Sequence, residues 1–160
     1  KIYVTLDFKG PIIASLFHTT SASILFDNSK ANSVTGFLGS FNLNWFLSNL
    51  NTVLSAKINY ASKDFTPVTA NNFLVNGRYL NNMFATGIEA SFKPKNNIYV
   101  LGDVLAVFKG DTADYYGTQL SGKVVWQVLS DVQLATFATW LNPNEDVAVT
   151  NFTVKAIMSF

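Results

Sequence analysis

The sequence has no cysteine among its 160 residues and little charge. A disulfide framework and a thiolate metal site are therefore excluded. Charged residues make up 13% of the chain, which is about half the share found in ordinary soluble domains. The formal net charge is only +1, so the composition gives no reason to expect electrostatic binding of nucleic acid.

Long apolar runs are also missing. No stretch of about 18 apolar residues occurs, so no helix is expected to span a bilayer. Hydrophobic residues nevertheless make up 49% of the chain and aromatic residues 14%, and they alternate with polar residues. Such alternation is typical of strands with one apolar and one polar face. The length fits a single domain over residues 1–160, and the composition is that of a barrel with a lipid-facing outside.

Catalytic motifs are equally scarce. His18 is the only histidine, with Ser15 and Ser21 close in sequence, but no Gly-x-Ser-x-Gly elbow is present. We interpret His18 as structural. Clusters of metal ligands and a glycine-rich phosphate loop are missing as well. We therefore predict no catalytic, cofactor-binding or metal site, and no enzymatic activity.

About nine segments of roughly ten residues show the alternation, which is the length that crosses a bilayer at a tilt. The pattern is poor in the second segment, and Gly10 and Pro11 end the first. Short and longer joints between segments alternate, as periplasmic turns and external loops do in membrane barrels. The segments are 2–9, 12–26, 37–47, 52–60, 84–93, 98–109, 120–129, 132–140 and 151–160. We predict an all-β fold, an antiparallel transmembrane β-barrel with about eight to ten strands in this chain.

The strand count leaves two alternatives open. Nine is odd, whereas bacterial single-chain barrels have even numbers of strands. Either residues 73–80 form a tenth strand, or residues precede Lys1 and the chain is the C-terminal part of a larger barrel. The start at Lys1, without a charged and then apolar leader, is expected of a mature or trimmed chain.

The last forty residues carry a family resemblance. A Trp126-bearing strand meets a short Ser130-Asp131 turn, the next strand alternates, and the final strand ends on Phe160. This arrangement resembles bacterial outer-membrane β-barrel proteins, in which the terminal aromatic residue belongs to a signal read by the assembly machinery. The resemblance implies that Phe160 and Met158 form the assembly signal and that the protein lies in the bacterial outer membrane. It implies the lipid bilayer and the assembly machinery as partners, and it leaves a homo-oligomer open.

Charged residues on the polar faces are the candidate functional residues. Counted from the short turns, they lie about four to six residues into their strands, which is near mid-membrane at the strand rise. We predict that they form a charged belt lining the lumen, with Asn42, Gln127 and Gln133 nearby. The belt either lines a narrow aqueous pore and tunes ion selectivity, or fills and locks a narrow interior. Its members are Lys57, Glu89, Asp103, Lys123, Lys155 and Asp7.

Aromatic residues near strand ends are predicted to form girdles at the membrane interfaces. They are Trp45, Tyr60, Phe92, Phe108, Trp126, Trp140 and Phe160. Lipid contact is expected for a set of side chains on the apolar face. This set is Phe37, Phe41, Val104, Trp126 and Met158.

Three functions remain open from the sequence. The first is a porin-like channel, or a channel component, for small solutes. The second is a closed barrel that anchors surface loops for adhesion or partner binding. The third is a soluble β-sandwich or jelly-roll binding module, in which the apolar faces pack against a second sheet.

Overall fold

One nine-stranded antiparallel sheet dominates the fold. The computed structural model describes residues 1–28, 34–65, 74–75, 78–79, 82–144 and 146–158. The only described helical element is a single 3₁₀ turn at Ser48–Leu50. The strands are β1 (Ile2–Ile13), β2 (Leu16–Asp27), β3 (Val34–Leu47), β4 (Thr52–Ala61), β5 (Leu74–Val75), β6 (Arg78–Tyr79), β7 (Met83–Lys95), β8 (Ile98–Lys109), β9 (Tyr115–Leu129), β10 (Val132–Pro143) and β11 (Val149–Met158).

Each strand of the main sheet pairs with its neighbours in chain order, giving β1-β2-β3-β4-β7-β8-β9-β10-β11. Short turns join strands at one end of the sheet, for example at Ser130 and Asp131. We call this the turn end, and the opposite end the loop end. The predicted all-β antiparallel fold is confirmed, as is the alternation of short and longer joints.

The register places the side chains on two distinct faces. On β4, Ser55, Lys57 and Asn59 are buried on one side while Leu54 and Ile58 are exposed on the other. The ladders carry the same alternation across the sheet, because residues directly opposite each other point the same way. We call these sides the polar face and the apolar face.

The first two strands differ from the prediction. β1 continues through Gly10 and Pro11 to Ile13, with a register shift between Pro11 and Ile13. Proline is tolerated there because β1 lies at the edge of the sheet. Residues 12 and 13 therefore belong to β1, which explains why the alternation in 12–26 is poor.

Several strand ends were also predicted too short. β9 begins at Tyr115, so residues expected in a loop belong to the sheet. β10 likewise extends to Pro143, past its predicted end at residue 140.

The open alternative of a tenth strand in the main sheet at residues 73–80 is not supported by the residues described there. Within 73–80, β5 and β6 pair only with each other, as a separate two-stranded sheet. They follow β4 in the connection that leads to β7.

Closure into a barrel is not observed either. No ladder joins β1 to β11 in the described parts of the chain, so both are edges. Nine consecutive antiparallel strands leave β1 and β11 running the same way, so only a parallel ladder could join them, in place of the antiparallel ladder that closes an even-stranded barrel.

A small apolar cluster lies at the loop end of the polar face. Ala85, Leu105, Val107 and Leu141 are buried together there. Phe65 is buried against the Tyr3 ring, with 6.4 Å between ring centroids, and β5 lies beside β10 and β11.

Candidate functional site

A buried ion cluster occupies the middle of the polar face. The Lys57 ammonium lies 2.7 Å from Glu89 Oε2 and 3.6 Å from Asp103 Oδ2. The side chains of Lys57 and Asp103 are 6% and 5% exposed, and that of Glu89 is 18% exposed. One cation therefore stands between two carboxylates in a largely dry environment, where an unpaired charge is costly.

The register explains how residues distant in sequence meet here. Glu89 on β7 lies directly opposite Asp103 on β8, so two carboxylates face each other across one ladder. Lys57 on β4 lies opposite Gly87, one pleat repeat from Glu89. A Cβ at Gly87 would collide with the Val104 carbonyl oxygen and stand 2.8 Å from the Leu105 Cα. Glycine therefore permits the close approach of β7 and β8 beside the cluster.

The predicted belt is only partly brought together. Lys57, Glu89 and Asp103 form the cluster. Lys123 lies opposite Leu101, one pleat repeat from Asp103, but the two form no ion pair in the described part of the chain.

The other three predicted members stay outside the cluster. Lys123, Lys155 and Asp7 share the polar face but are exposed, and none of them forms an ion pair within the described chain. The six charges therefore share one face without forming a continuous belt.

Hydroxyl and amide groups line the polar face of β1 to β4. Thr5 and Ser23 hydroxyls lie 2.9 Å apart. Asn42 Nδ2 donates to Thr19 Oγ1 at 3.2 Å. Ser55 Oγ donates to Asn44 Oδ1 at 2.8 Å. Of these residues only Asn42 was predicted to be functional, although the serine and threonine positions are visible in the alternation of the strands.

A groove of about 380 Å³ opens on this part of the polar face. Two buried oxygens, Asn42 Oδ1 at the groove and Asp103 Oδ1 in the cluster, have no hydrogen-bond partner within the described chain. The groove can accept a small, strongly hydrogen-bonding solute or water. Its polar-face lining is Asp7, Lys9, Thr19, Ser21, Ser40 and Asn42.

The apolar face is uncovered. Phe37, Phe41 and Val104 are exposed, Trp126 is 45% exposed and Met158 is 61% exposed. The nine strands form one sheet, and each of these five residues is at least 40% exposed. A charged side chain occupies none of the strand-interior positions on this face that the structure describes.

Aromatic side chains form a row at the loop end of the apolar face. Phe37 lies 6.1 Å from Tyr60, Phe84 lies 6.0 Å from Phe108, and Phe108 lies 5.8 Å from Tyr115, measured between ring centroids. Tyr60 and Phe84 are direct cross-strand partners, so the row is continuous from β3 to β9.

A second set of aromatics lies near the turn end of the same face. Trp45, Phe92 and Trp126 stand there, while Trp140 stands near the loop end. The predicted positions near strand ends are thus observed for the described residues. Phe160 lies outside the described residues.

The described contacts of the histidine are structural. His18 lies on the apolar face, where its ring stacks on Phe41 at 6.4 Å and its Nδ1 lies 3.3 Å from Thr20 Oγ1. Ser21 faces the opposite side of the sheet, because it is three residues away on the same strand. A serine–histidine pair is therefore not formed between these two residues.

Of the two predicted assembly-signal residues, only Met158 is described. It ends β11 on the apolar face at the turn end. In the described ranges, no group of three or more metal-ligating side chains could hold an ion. None of the described helical residues forms a helix long and apolar enough to cross a membrane.

Comparison of the chain with protein-family models, with curated proteins and with solved structures finds no match. The function is therefore inferred from the two faces of the sheet and from the charges on the polar face.

Proposed function

We propose that this sheet is a membrane-embedded wall of a porin-like channel, or channel component, for small solutes in a bacterial outer membrane. The observation that carries the proposal is the division of nine strands into an uncovered apolar face and a polar face with a buried ion cluster. A water-soluble sheet normally packs such an apolar face against another layer. Contact with lipid chains is the other environment in which such an apolar face is kept away from water.

The dimensions support the proposal. Phe84 and Phe92 stand at opposite ends of the apolar face on one strand, eight residues apart. Eight residues of strand span roughly 26 Å, or about 20 Å along the membrane normal at the usual tilt, against the ~25 Å apolar band of membrane barrels. The aromatic rows then lie at the two interfaces, where aromatic rings are favoured.

The polar face supports a solute path. It carries exposed Lys123 and Lys155 and the hydroxyl-rich groove beside Asp7. Charged and hydrogen-bonding side chains along a pore wall set which ions and solutes pass. We assign the transported class as small polar solutes, because the residues that line the groove on the polar face carry hydroxyl, amide and charged groups.

One observation favours a second function, a filled wall that anchors surface loops. The loop end of the polar face carries the buried Leu105, Val107 and Leu141. Phe65 is buried against Tyr3, and β5 lies beside β10 and β11. Such filling narrows or blocks the interior. The proposed partners are the lipid bilayer and the assembly machinery. Met158 lies in the last strand, which we propose the machinery binds.

Membrane embedding is tested with the three tryptophans. All of them lie on the apolar face. After reconstitution, lipids brominated along their acyl chains should quench their fluorescence, and an aqueous quencher should act weakly. Strong aqueous quenching with no effect of the brominated lipids would refute embedding and favour the soluble module.

The pore is tested by single-channel recording in planar bilayers. Purified protein that passes the quenching test should give discrete conductance steps in potassium chloride. Embedded, folded protein that gives no steps over many insertions would exclude the pore and leave the loop-anchoring function.

A further inference from the structure

Neither edge of the sheet has a partner strand in the described parts of the chain. Natural sheets blunt edge strands with charges, prolines or bulges, and in β1 the proline and the register shift are confined to the turn end, at Pro11 to Ile13. Over residues 2–10, β1 is regular, and its apolar face shows Ile2, Leu6 and Phe8. β11 shows Phe152 and Val154 on the same face. In lipid, unpaired backbone groups along such edges cost several kcal/mol each, so both edges require partner strands.

Strand direction restricts the partner. β1 and β11 run the same way from the loop end to the turn end. When two copies share one orientation in the membrane, β11 of one copy and β1 of the other form a parallel ladder. Parallel ladders are only slightly weaker per residue than antiparallel ones.

The two edges carry complementary charges on the polar face. Asp7 is the only acidic residue in β1, and Lys155 is the only charged residue in β11. Both are exposed, and neither forms an ion pair within the described chain. Lys9 shares the polar face of β1 with Asp7 but lies one pleat repeat nearer the turn end.

We propose that a second copy of this chain completes the wall, with β11 of each copy beside β1 of the other. The inference rests on the proposed membrane function and specifies its assembly. A barrel of about eight strands is filled by its own side chains, whereas one of about 16 to 18 strands leaves an aqueous channel. Two copies of the nine-stranded sheet together have enough strands for the larger barrel, which leaves an aqueous channel.

The chain has no cysteine, so introduced thiols report on the edges without background. Thr5→Cys places a thiol on the polar face of β1, and Thr153→Cys places one on the polar face of β11. Mixing the two single variants in detergent under mild oxidation should give a disulfide-linked dimer. Each variant alone, or Ser40→Cys of β3 mixed with Thr153→Cys, should not.

The variant with both cysteines in one chain distinguishes the alternatives. An intramolecular disulfide in a monomer would overturn the proposal, because it would show that β1 and β11 of the same chain pair with each other. Light scattering of the unmodified protein should give the mass of two chains, and a monomer mass would overturn the proposal whether or not any cysteine variant folds.

Charge reversal gives an independent measurement. Asp7→Lys or Lys155→Asp should weaken the dimer roughly fivefold, and the two together should restore it. Lys123→Asp, on the same face but away from both edges, is the matched control. If neither Asp7→Lys nor Lys155→Asp weakens the dimer more than Lys123→Asp does, Asp7 and Lys155 are not in contact between the two copies. If brominated lipids quench the tryptophan fluorescence but light scattering gives a monomer mass, the second-copy proposal is wrong and the membrane function stands. If the lipids do not quench the fluorescence, the membrane function itself is wrong.

Discussion

At the scale of single residues, the cluster around Lys57 has the largest consequence. Replacing Lys57 by methionine leaves Glu89 and Asp103 facing each other without a cation. Removing one partner of a buried ion pair costs about 3–5 kcal/mol, and we expect a loss of this order in the free energy of unfolding, measured by urea titration in detergent. Lys123→Met, on the same face but exposed, should change it by less than about 0.5 kcal/mol.

Neutralising the two carboxylates as well tests the cause of that loss. Lys57→Met combined with Glu89→Gln and Asp103→Asn should recover much of the lost stability, because no uncompensated charge remains buried. If the triple variant is less stable than Lys57→Met alone, packing rather than charge dominates at this position.

Two glycines offer a second comparison at this scale. Gly87→Ala brings a Cβ onto the Val104 carbonyl oxygen, and forcing β7 and β8 apart should cost about 1–3 kcal/mol. Gly122→Ala meets nothing within 4 Å, and it should be neutral or stabilise by about 0.5 kcal/mol, since glycine is unfavourable inside strands. Chemical denaturation measures the free energy of unfolding of both variants. Equal changes would argue against a close approach of β7 and β8 at Gly87.

At the scale of the strand, β9 offers adjacent valines on opposite faces. Val124 lies on the apolar face and Val125 on the polar face. Val124→Lys should cost about 1–2 kcal/mol if that face meets lipid, because Val124 lies one pleat repeat from the interfacial Trp126, and Val125→Lys should cost distinctly less. Unfolding of both variants in lipid vesicles measures the difference. A reversed order would indicate that water covers the apolar face.

Alternation predicted which face each strand residue occupies, because a period of two is a local property of the backbone. It correctly set Phe37, Val104 and Trp126 opposite Lys57 and Glu89. Register is not local, and a shift between strands changes the partners of every residue. The sequence therefore could not predict that Asp103 meets Lys57 rather than Lys123. Residue 12 was misplaced because Pro11 normally interrupts a strand, whereas an edge strand tolerates it.

At the scale of the whole molecule, the uncovered apolar face determines solution behaviour. Exposed apolar patches larger than a few hundred Å² mark interaction surfaces or cause aggregation. We expect a monodisperse, β-rich protein in detergent and precipitation when detergent falls below its micelle concentration, followed by light scattering and circular dichroism. A dispersed, folded protein in plain buffer would contradict lipid contact and revive the soluble binding module.

The chain-order pairing of the sheet has a consequence for how the molecule folds. Seven of its eight ladders join strands adjacent along the chain, and the eighth, between β4 and β7, spans only their connection. Each new strand can therefore add to the preceding one, which keeps loop-closure entropy small. The remote contacts, Phe65 with Tyr3 and β5 with β10 and β11, can form only after the last strands have paired. We therefore expect hairpins to acquire amide-exchange protection early and the amides of Phe65 and β5 to acquire it last.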